Sequence, residues 1–204
     1  MKRIKVSEET NFIGCWNLNE NNLCSEIINL FEKNKMLQKR GTTALGVNEK
    51  LKKSIDMTIQ PNDLNKEEFK VLKKYVKKLF KCYQDYKVIW PFLDKTFASL
   101  DIPAFNIQKY EEGGHFASTH CERGSIPHMH RVFAWMTYLN DVDSGGETYF
   151  EHFNLKIKPE TGKTLIWPAE WTHAHKGEVL KTGLKYIITG WMHLPFNFQV
   201  PQKN

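Results

Sequence analysis

His120-Cys121-Glu122, His175 and Lys185 fall in the second half of the chain, on segments that read as β-strands. Two imidazoles and one carboxylate can hold a divalent iron on one face and leave the other open to a cosubstrate and dioxygen. His120 and Glu122 are two apart, and alternate strand residues share a face, so both side chains can converge on one ion. His173 and His175 are also two apart, so spacing alone leaves either as the second imidazole. Lys185, ten residues past His175, adds a fixed positive charge suited to a small dicarboxylate. Counting by twos puts Lys185, Ile187, Thr189, Trp191 and His193 on one face, with Tyr186, Ile188, Gly190 and Met192 on the other. An inward Lys185 needs a compensating anion, because an unpaired buried charge is costly. A bound carboxylate would supply it.

The elements that position these residues read as short strands from about residue 104 onward. β-rich runs cover 105–111, 116–122, 131–140, 147–151, 155–158, 163–167 and 185–194. Gly113-Gly114, Gly145-Gly146, Pro159 to Gly162 and Gly183 punctuate them. Many short strands with regular turns predict a sandwich or jelly roll. The first hundred residues read as mainly helical. Leu23, Ile27, Leu30 and Phe31 form a stripe on a helix near 22–35, and Ser54 to Ile59 alternates like a strand. Asn65, followed three positions later by Glu68, resembles a cap opening a lysine-rich helix that runs to Lys87. The fold expected is one α+β domain over residues 1–204. Residues 1–104 form a mainly helical support region, and residues 105–194 a catalytic β core of the double-stranded β-helix (jelly-roll) kind.

Composition narrows the rest. At 204 residues one domain with a substantial core is expected. The hydrophobic content of 41% with 25% charged residues fits a soluble globular protein. No apolar run approaches the roughly 20 residues that span a bilayer, so no membrane partner is expected. The first ten residues lack the apolar stretch of a secretion signal. Cys15, Cys24, Cys82 and Cys121 show no paired spacing, and reduced thiols in a cytoplasmic protein are the expectation. The net charge of +6 invites a nucleic-acid partner. However, Lys70, Lys73, Lys74, Lys77, Lys78 and Lys81 share their segment with Phe69, Leu72, Val76, Leu79, Tyr83 and Tyr86 at helical steps. The lysines then form the solvated side of an amphipathic helix, and nucleic acid is not the expected partner.

Several short motifs recur in an informative order: Tyr110-x-x-Gly113, Arg131-Val132, Tyr138-Leu139-Asn140 and Gly145-Gly146-Glu147-Thr148. Lys158-Pro159-x-x-Gly162 with Trp167-Pro168 follows, then His175-x-Gly177 with Val179, then Gly183-x-Lys185 and Trp191. Together with His120 and Glu122, residues 105–194 resemble the iron(II)- and 2-oxoglutarate-dependent dioxygenases, in particular the prolyl 4-hydroxylase-like branch. The resemblance implies iron(II) and 2-oxoglutarate as cofactors, with ascorbate as an optional reductant. It implies dioxygen as oxidant and a proline-containing peptide or protein as substrate. It selects His175 over His173, giving His120, Glu122 and His175 as metal ligands and Lys185 as the anchor of the distal 2-oxoglutarate carboxylate. These four are the expected catalytic set. It further implies that Tyr110 and Thr148 hydrogen-bond the cosubstrate, and that Arg131, Trp191 and His193 line a peptide-proline pocket.

Two departures from that family pattern stand out. The usual aspartate is Glu122, one methylene longer. The segment from Tyr110 to His120 is one residue longer than the commonest spacing, an excess expected at Gly113-Gly114. Phe116 or His115 is then expected to take the aromatic position beside the first histidine. Phe133, Trp135 and Trp191 are candidate walls against water. His115, His128, His130 and His152 are left over. His128-Met129-His130 lacks the partners of a second metal site and reads as a loop near the site mouth, while Cys121 reads as packing. Rival readings are a dioxygenase for another substrate, such as another amino acid or nucleic acid, and a catalytically silent jelly-roll binding module.

Overall fold

Period-two alternation becomes antiparallel pairing in two sheets. A computed structural model describes residues 1–43, 46–97 and 99–195, so the end of the expected 1–204 domain, from residue 196, lies outside the described residues. In chain order the strands are β1 (Lys2–Arg3), β2 (Gly14–Asn17), β3 (Gln38–Arg40), β4 (Lys52–Lys53), β5 (Ile55–Ile59), β6 (Phe105–Tyr110) and β7 (His115–His120). They continue as β8 (Arg131–Tyr138), β9 (Thr148–Phe150), β10 (Leu155–Ile157), β11 (Lys163–Pro168), β12 (His175–Gly177) and β13 (Lys185–His193). The helices are α1 (Asn21–Lys33), α2 (Lys70–Ile89) and α3 (Phe92–Thr96). The major sheet runs β1-β2-β11-β8-β13-β6-β5-β3, and the minor sheet β10-β9-β12-β7-β4. The fold is α+β with a jelly-roll core.

The two faces of the major sheet serve different cores. Tyr110, Ala134, Met136, Tyr138, Leu165, Trp167 and Ile187 join Phe150 and Ile157 of the minor sheet in an inter-sheet cluster. The opposite face sends Phe133, Trp135, Ile188 and Met192 against α1 and α2, whose Leu23, Ile27, Phe31, Leu72, Tyr75 and Leu79 are buried there. Burying each such large apolar side chain contributes about 1.5–3 kcal/mol before the entropy of ordering it. The alternation read along β13 is the one observed: Lys185 and Ile187 face the inter-sheet space, and Ile188 and Met192 face the helices.

Phe133 and Trp135 therefore do not wall the site. Tyr75 lies 5.9 Å from Trp135, and Tyr83 and Tyr86 lie 5.8 Å and 5.4 Å from Phe133, ring to ring, so these aromatics join sheet to helix. The lysine-rich segment starts later than read. Asn65 ends a 3-10 turn, Glu67–Phe69 forms another, and α2 opens at Lys70 without a side-chain cap. The reciprocal capping bonds sit upstream, between Gln60 and Asp63, behind Pro61. Lys70, Lys73, Lys74, Lys77 and Lys81 are exposed as the amphipathic pattern requires. The N-terminal region also holds more strand than its helical reading: β2, β3 and β5 all enter the major sheet.

Candidate metal centre

His120 closes β7 and His175 opens β12, and the two are direct cross-strand partners. Their rings lie 4.5 Å apart. Glu122 is not on the strand, contrary to the alternation argument. β7 ends at His120, and the chain turns so that the amides of Glu122 and Arg123 both donate to the Ala169 carbonyl at 3.1 Å. The carboxylate arrives from this turn. Its Oε1 lies 3.6 Å from His120 Nε2 and 3.4 Å from His175 Nε2. One donor atom from each of the three side chains falls within 4.8 Å of the others.

Both imidazoles are fixed in the tautomer that a metal needs. His120 Nδ1 faces the Ser118 carbonyl at 2.8 Å, and His175 Nδ1 faces the His173 carbonyl at 2.9 Å. A carbonyl only accepts, so each Nδ1 carries the proton and each Nε2 presents a lone pair. Cis donors each about 2.1 Å from an ion stand about 3 Å apart, so a small contraction closes this set around one. His173 is engaged elsewhere. Its Nε2 donates to the Asn11 carbonyl at 2.8 Å, and its Nδ1 accepts from Thr172 at 3.0 Å.

Aromatic rings fix the ligands sideways. Phe116 stacks on His120 at 4.0 Å, while His115 bonds the Gly113 carbonyl, so Phe116 takes the aromatic position. Gly113-Gly114 forms the β6–β7 turn. An irregularity lies inside β7: His175 pairs with His120 but Gly177 with Phe116, so between these pairs one residue of β12 opposes three of β7. In that irregular stretch the amides of Ala117 and Ser118 point to the Leu51 carbonyl. Phe150 and Trp167, 5.5 Å and 5.1 Å from the His175 ring, complete its surroundings. Sequence reasoning missed both as site residues, although period two from Thr148 points Phe150 the same way.

Lys185 is buried, with 3% of its surface exposed, and no carboxylate lies within ion-pair distance among the described residues. Its Nζ donates to the Gly146 carbonyl at 2.9 Å and lies 4.4 Å above the Tyr110 ring. Gly146 adopts φ 73°, and a Cβ there would stand 3.2 Å from Lys185 Cδ, so glycine lets this approach occur. The Tyr110 hydroxyl donates to Gln108 Oε1 at 2.7 Å, and the Thr148 hydroxyl pairs with that of Tyr138 at 2.5 Å. Both hydroxyls are thus already engaged within the chain. Arg131 and Trp191 meet the Glu122 carboxylate, and His193 packs edge-on against His130, with ring centroids 4.2 Å apart.

With this geometry in view, residues 105–193 match the 2OG-Fe(II) oxygenase superfamily. The β core is similar to that superfamily. Prolyl 4-hydroxylase subunit alpha-1 of Gallus gallus is 24% identical over 70 residues, which are 31% of this chain and 14% of that protein. The chain thus spans a small part of such relatives. Among solved structures, viral collagen prolyl hydroxylase from Paramecium Bursaria Chlorella virus-1, in its 2OG complex, superposes with a TM-score of 0.66 at 18% identity. That match covers 90% of this chain and 97% of the viral one. A prolyl hydroxylase in complex with a hypoxia inducible factor peptide fragment from Trichoplax adhaerens gives 0.69 at 15% identity, over 91% of this chain and 84% of that one. These likenesses carry the fold. The donor set fits iron(II), and the uncompensated Lys185 fits a 2-oxoglutarate carboxylate.

A pH dependence follows. Burial pushes the Lys185 ammonium down to about 8, with the Glu147 charge acting weakly against it. A carboxylate binds the charged form and raises that value in the complex. Affinity for 2-oxoglutarate is therefore expected to be flat below about pH 8 and to fall about tenfold per unit above it, until the pKa of the complex is reached. Calorimetry on the manganese-loaded chain from about pH 6.5 to about pH 9 checks this. A flat profile that Lys185→Met reproduces would remove the lysine from the binding step.

Proposed function

We propose that this chain is an iron(II)- and 2-oxoglutarate-dependent dioxygenase that hydroxylates prolyl residues in a peptide or protein. The observation that carries the dioxygenase reading is the pairing of a tautomer-fixed His120–Glu122–His175 triad with a buried, anion-seeking Lys185 in one jelly roll. Iron so held, with 2-oxoglutarate bound, supplies dioxygen-driven hydroxylation of an unactivated C–H bond. The chain's own part is to hold and shield. His120 and His175 present Nε2, Glu122 presents Oε1, and Lys185 fixes the far carboxylate of the cosubstrate. Tyr110 supports the ammonium with its ring. Its hydroxyl and that of Thr148 reach the cosubstrate by exchanging their present partners. Phe150, Trp167 and Phe116 keep water from the imidazoles.

The peptide-prolyl reading has three supports. Relatives in sequence and fold are named prolyl hydroxylases, one of them bound to a peptide fragment. Arg131 and Trp191 meet Glu122 from neighbouring strands and His193 pairs with Arg131 across them; neither ring nitrogen of His193 nor Arg131 Nε, all buried, has a hydrogen-bond partner among the described residues. The loops flanking the triad expose Ile126, Met129 and Trp171, and the Arg123–Glu170 pair ties these loops together. That apolar rim suits an extended chain better than a free amino acid, whose two charges need dedicated partners. No helix among the described residues is long and apolar enough to cross a membrane. Four free cysteines, three of them buried, favour a cytoplasmic setting.

A mass-spectrometric screen of proline-containing peptides against proline-free controls tests the substrate. Oxygen addition is expected on proline in peptides, with free proline unchanged. Product from nucleic acid or free amino acids alone would leave a dioxygenase and remove the prolyl assignment.

A further inference from the structure

Glu122 differs from a shorter carboxylate ligand in its reach and in its extra rotatable bond. Left loose, its carboxylate could swing out of the site, or place both oxygens on the metal and occupy the face needed by cosubstrate and dioxygen. The structure divides the two oxygens. Oε1 faces His120 and His175, whereas Oε2 accepts the Trp191 indole N–H at 2.5 Å and an Arg131 Nη1 hydrogen at 3.4 Å. Arg131 Nη1 also donates to the Glu122 carbonyl at 3.1 Å, gripping both ends of the residue. The guanidinium carbon sits 3.7 Å from the centroid of the Trp191 ring, so each donor holds the other in place. Trp191 pairs with Ala134, and His193 with Arg131, in the β8–β13 ladder, so both donors stand on the rigid major sheet while Glu122 hangs on a turn.

We infer that Trp191 and Arg131 are positioning residues that clamp Oε2 of Glu122, so that this longer carboxylate binds metal through Oε1 alone and the opposite face stays open. The clamp rests on the metal-centre reading and adds to it. Charge-assisted bonds to a carboxylate are strong enough to orient a ligand, and losing such support typically costs about ten- to a hundredfold in metal affinity. It also gives Arg131 and Trp191 a task on the unliganded chain, before any substrate arrives.

Cobalt(II) titration followed by visible absorption tests this without turnover. The unaltered chain is expected to take up one cobalt. Trp191→Phe leaves a smaller aromatic ring and removes the N–H; it is expected to weaken cobalt binding about tenfold or more and to change the absorption intensity as the carboxylate binds through both oxygens. The decisive step repeats the change in Glu122→Asp. An aspartate is shorter by one C–C bond, about 1.5 Å, and cannot reach the ion and the indole together. There Trp191→Phe is expected to alter cobalt affinity by less than about twofold. Equal losses in both backgrounds would mark Trp191 as ordinary packing and overturn the clamp, as would an unchanged spectrum in Trp191→Phe alone. If Trp191→Phe does not fold, Arg131→Met reads the same coupling. No cobalt uptake by the folded, unaltered chain would instead remove the metal centre itself.

Discussion

His175→Ala is expected to abolish stoichiometric iron binding, lowering affinity by more than about a hundredfold, beyond the loss typical of a supporting group. Its neighbour gives the contrast. His173 shares the same short segment, yet both of its nitrogens are committed, to Asn11 and Thr172. His173→Ala is therefore expected to retain one iron per chain while losing about 1–3 kcal/mol of stability, the cost of orphaning a buried acceptor. Metal content after dialysis, read beside thermal unfolding, separates the two. Iron lost from His173→Ala and kept by His175→Ala would overturn the ligand assignment.

Lys185→Met is expected to weaken 2-oxoglutarate binding by about 1.5–3 kcal/mol, roughly tenfold to a hundredfold, with iron affinity unchanged. Methionine keeps most of the apolar stem and deletes the charge. A second readout follows from burial. The ammonium has no carboxylate partner among the described residues, and its pKa is pushed down to about 8. Below that pH the folded chain carries an unfavourable buried charge, and the penalty fades as pH rises through 8 toward the ordinary lysine value. The unliganded Lys185→Met chain is thus expected to unfold at no lower temperature than its parent at neutral pH. A variant that melts lower and binds 2-oxoglutarate normally would make Lys185 a structural residue.

The residues that could do chemistry were legible because period two is a strong constraint. Lys185, Ile187 and Trp191 lie on the face that counting assigned them, and His120 meets His175 across a strand pair. What escaped depends on tertiary context. Glu122 leaves its strand because two amides bond Ala169, a contact from 47 positions further along the chain. In the irregular stretch of β7 two amides bond Leu51, which is more remote still. Phe133 and Trp135 looked like site walls because strand alternation gives two faces and does not say which one meets the helices. The strands β2 and β3 are four and three residues long, too short for periodicity to register. Nothing in the sequence marks Lys52 as buried, because its partner Asp56, at 2.6 Å, is brought to it by the β4–β5 geometry.

The most direct test of the central claim is succinate release by the purified chain supplied with iron(II), 2-oxoglutarate and dioxygen. Succinate is expected to require all three, to disappear with a chelator and in His175→Ala, and to need far more 2-oxoglutarate in Lys185→Met. A folded, iron-loaded chain that releases no succinate, with or without a proline-containing peptide, would contradict that claim.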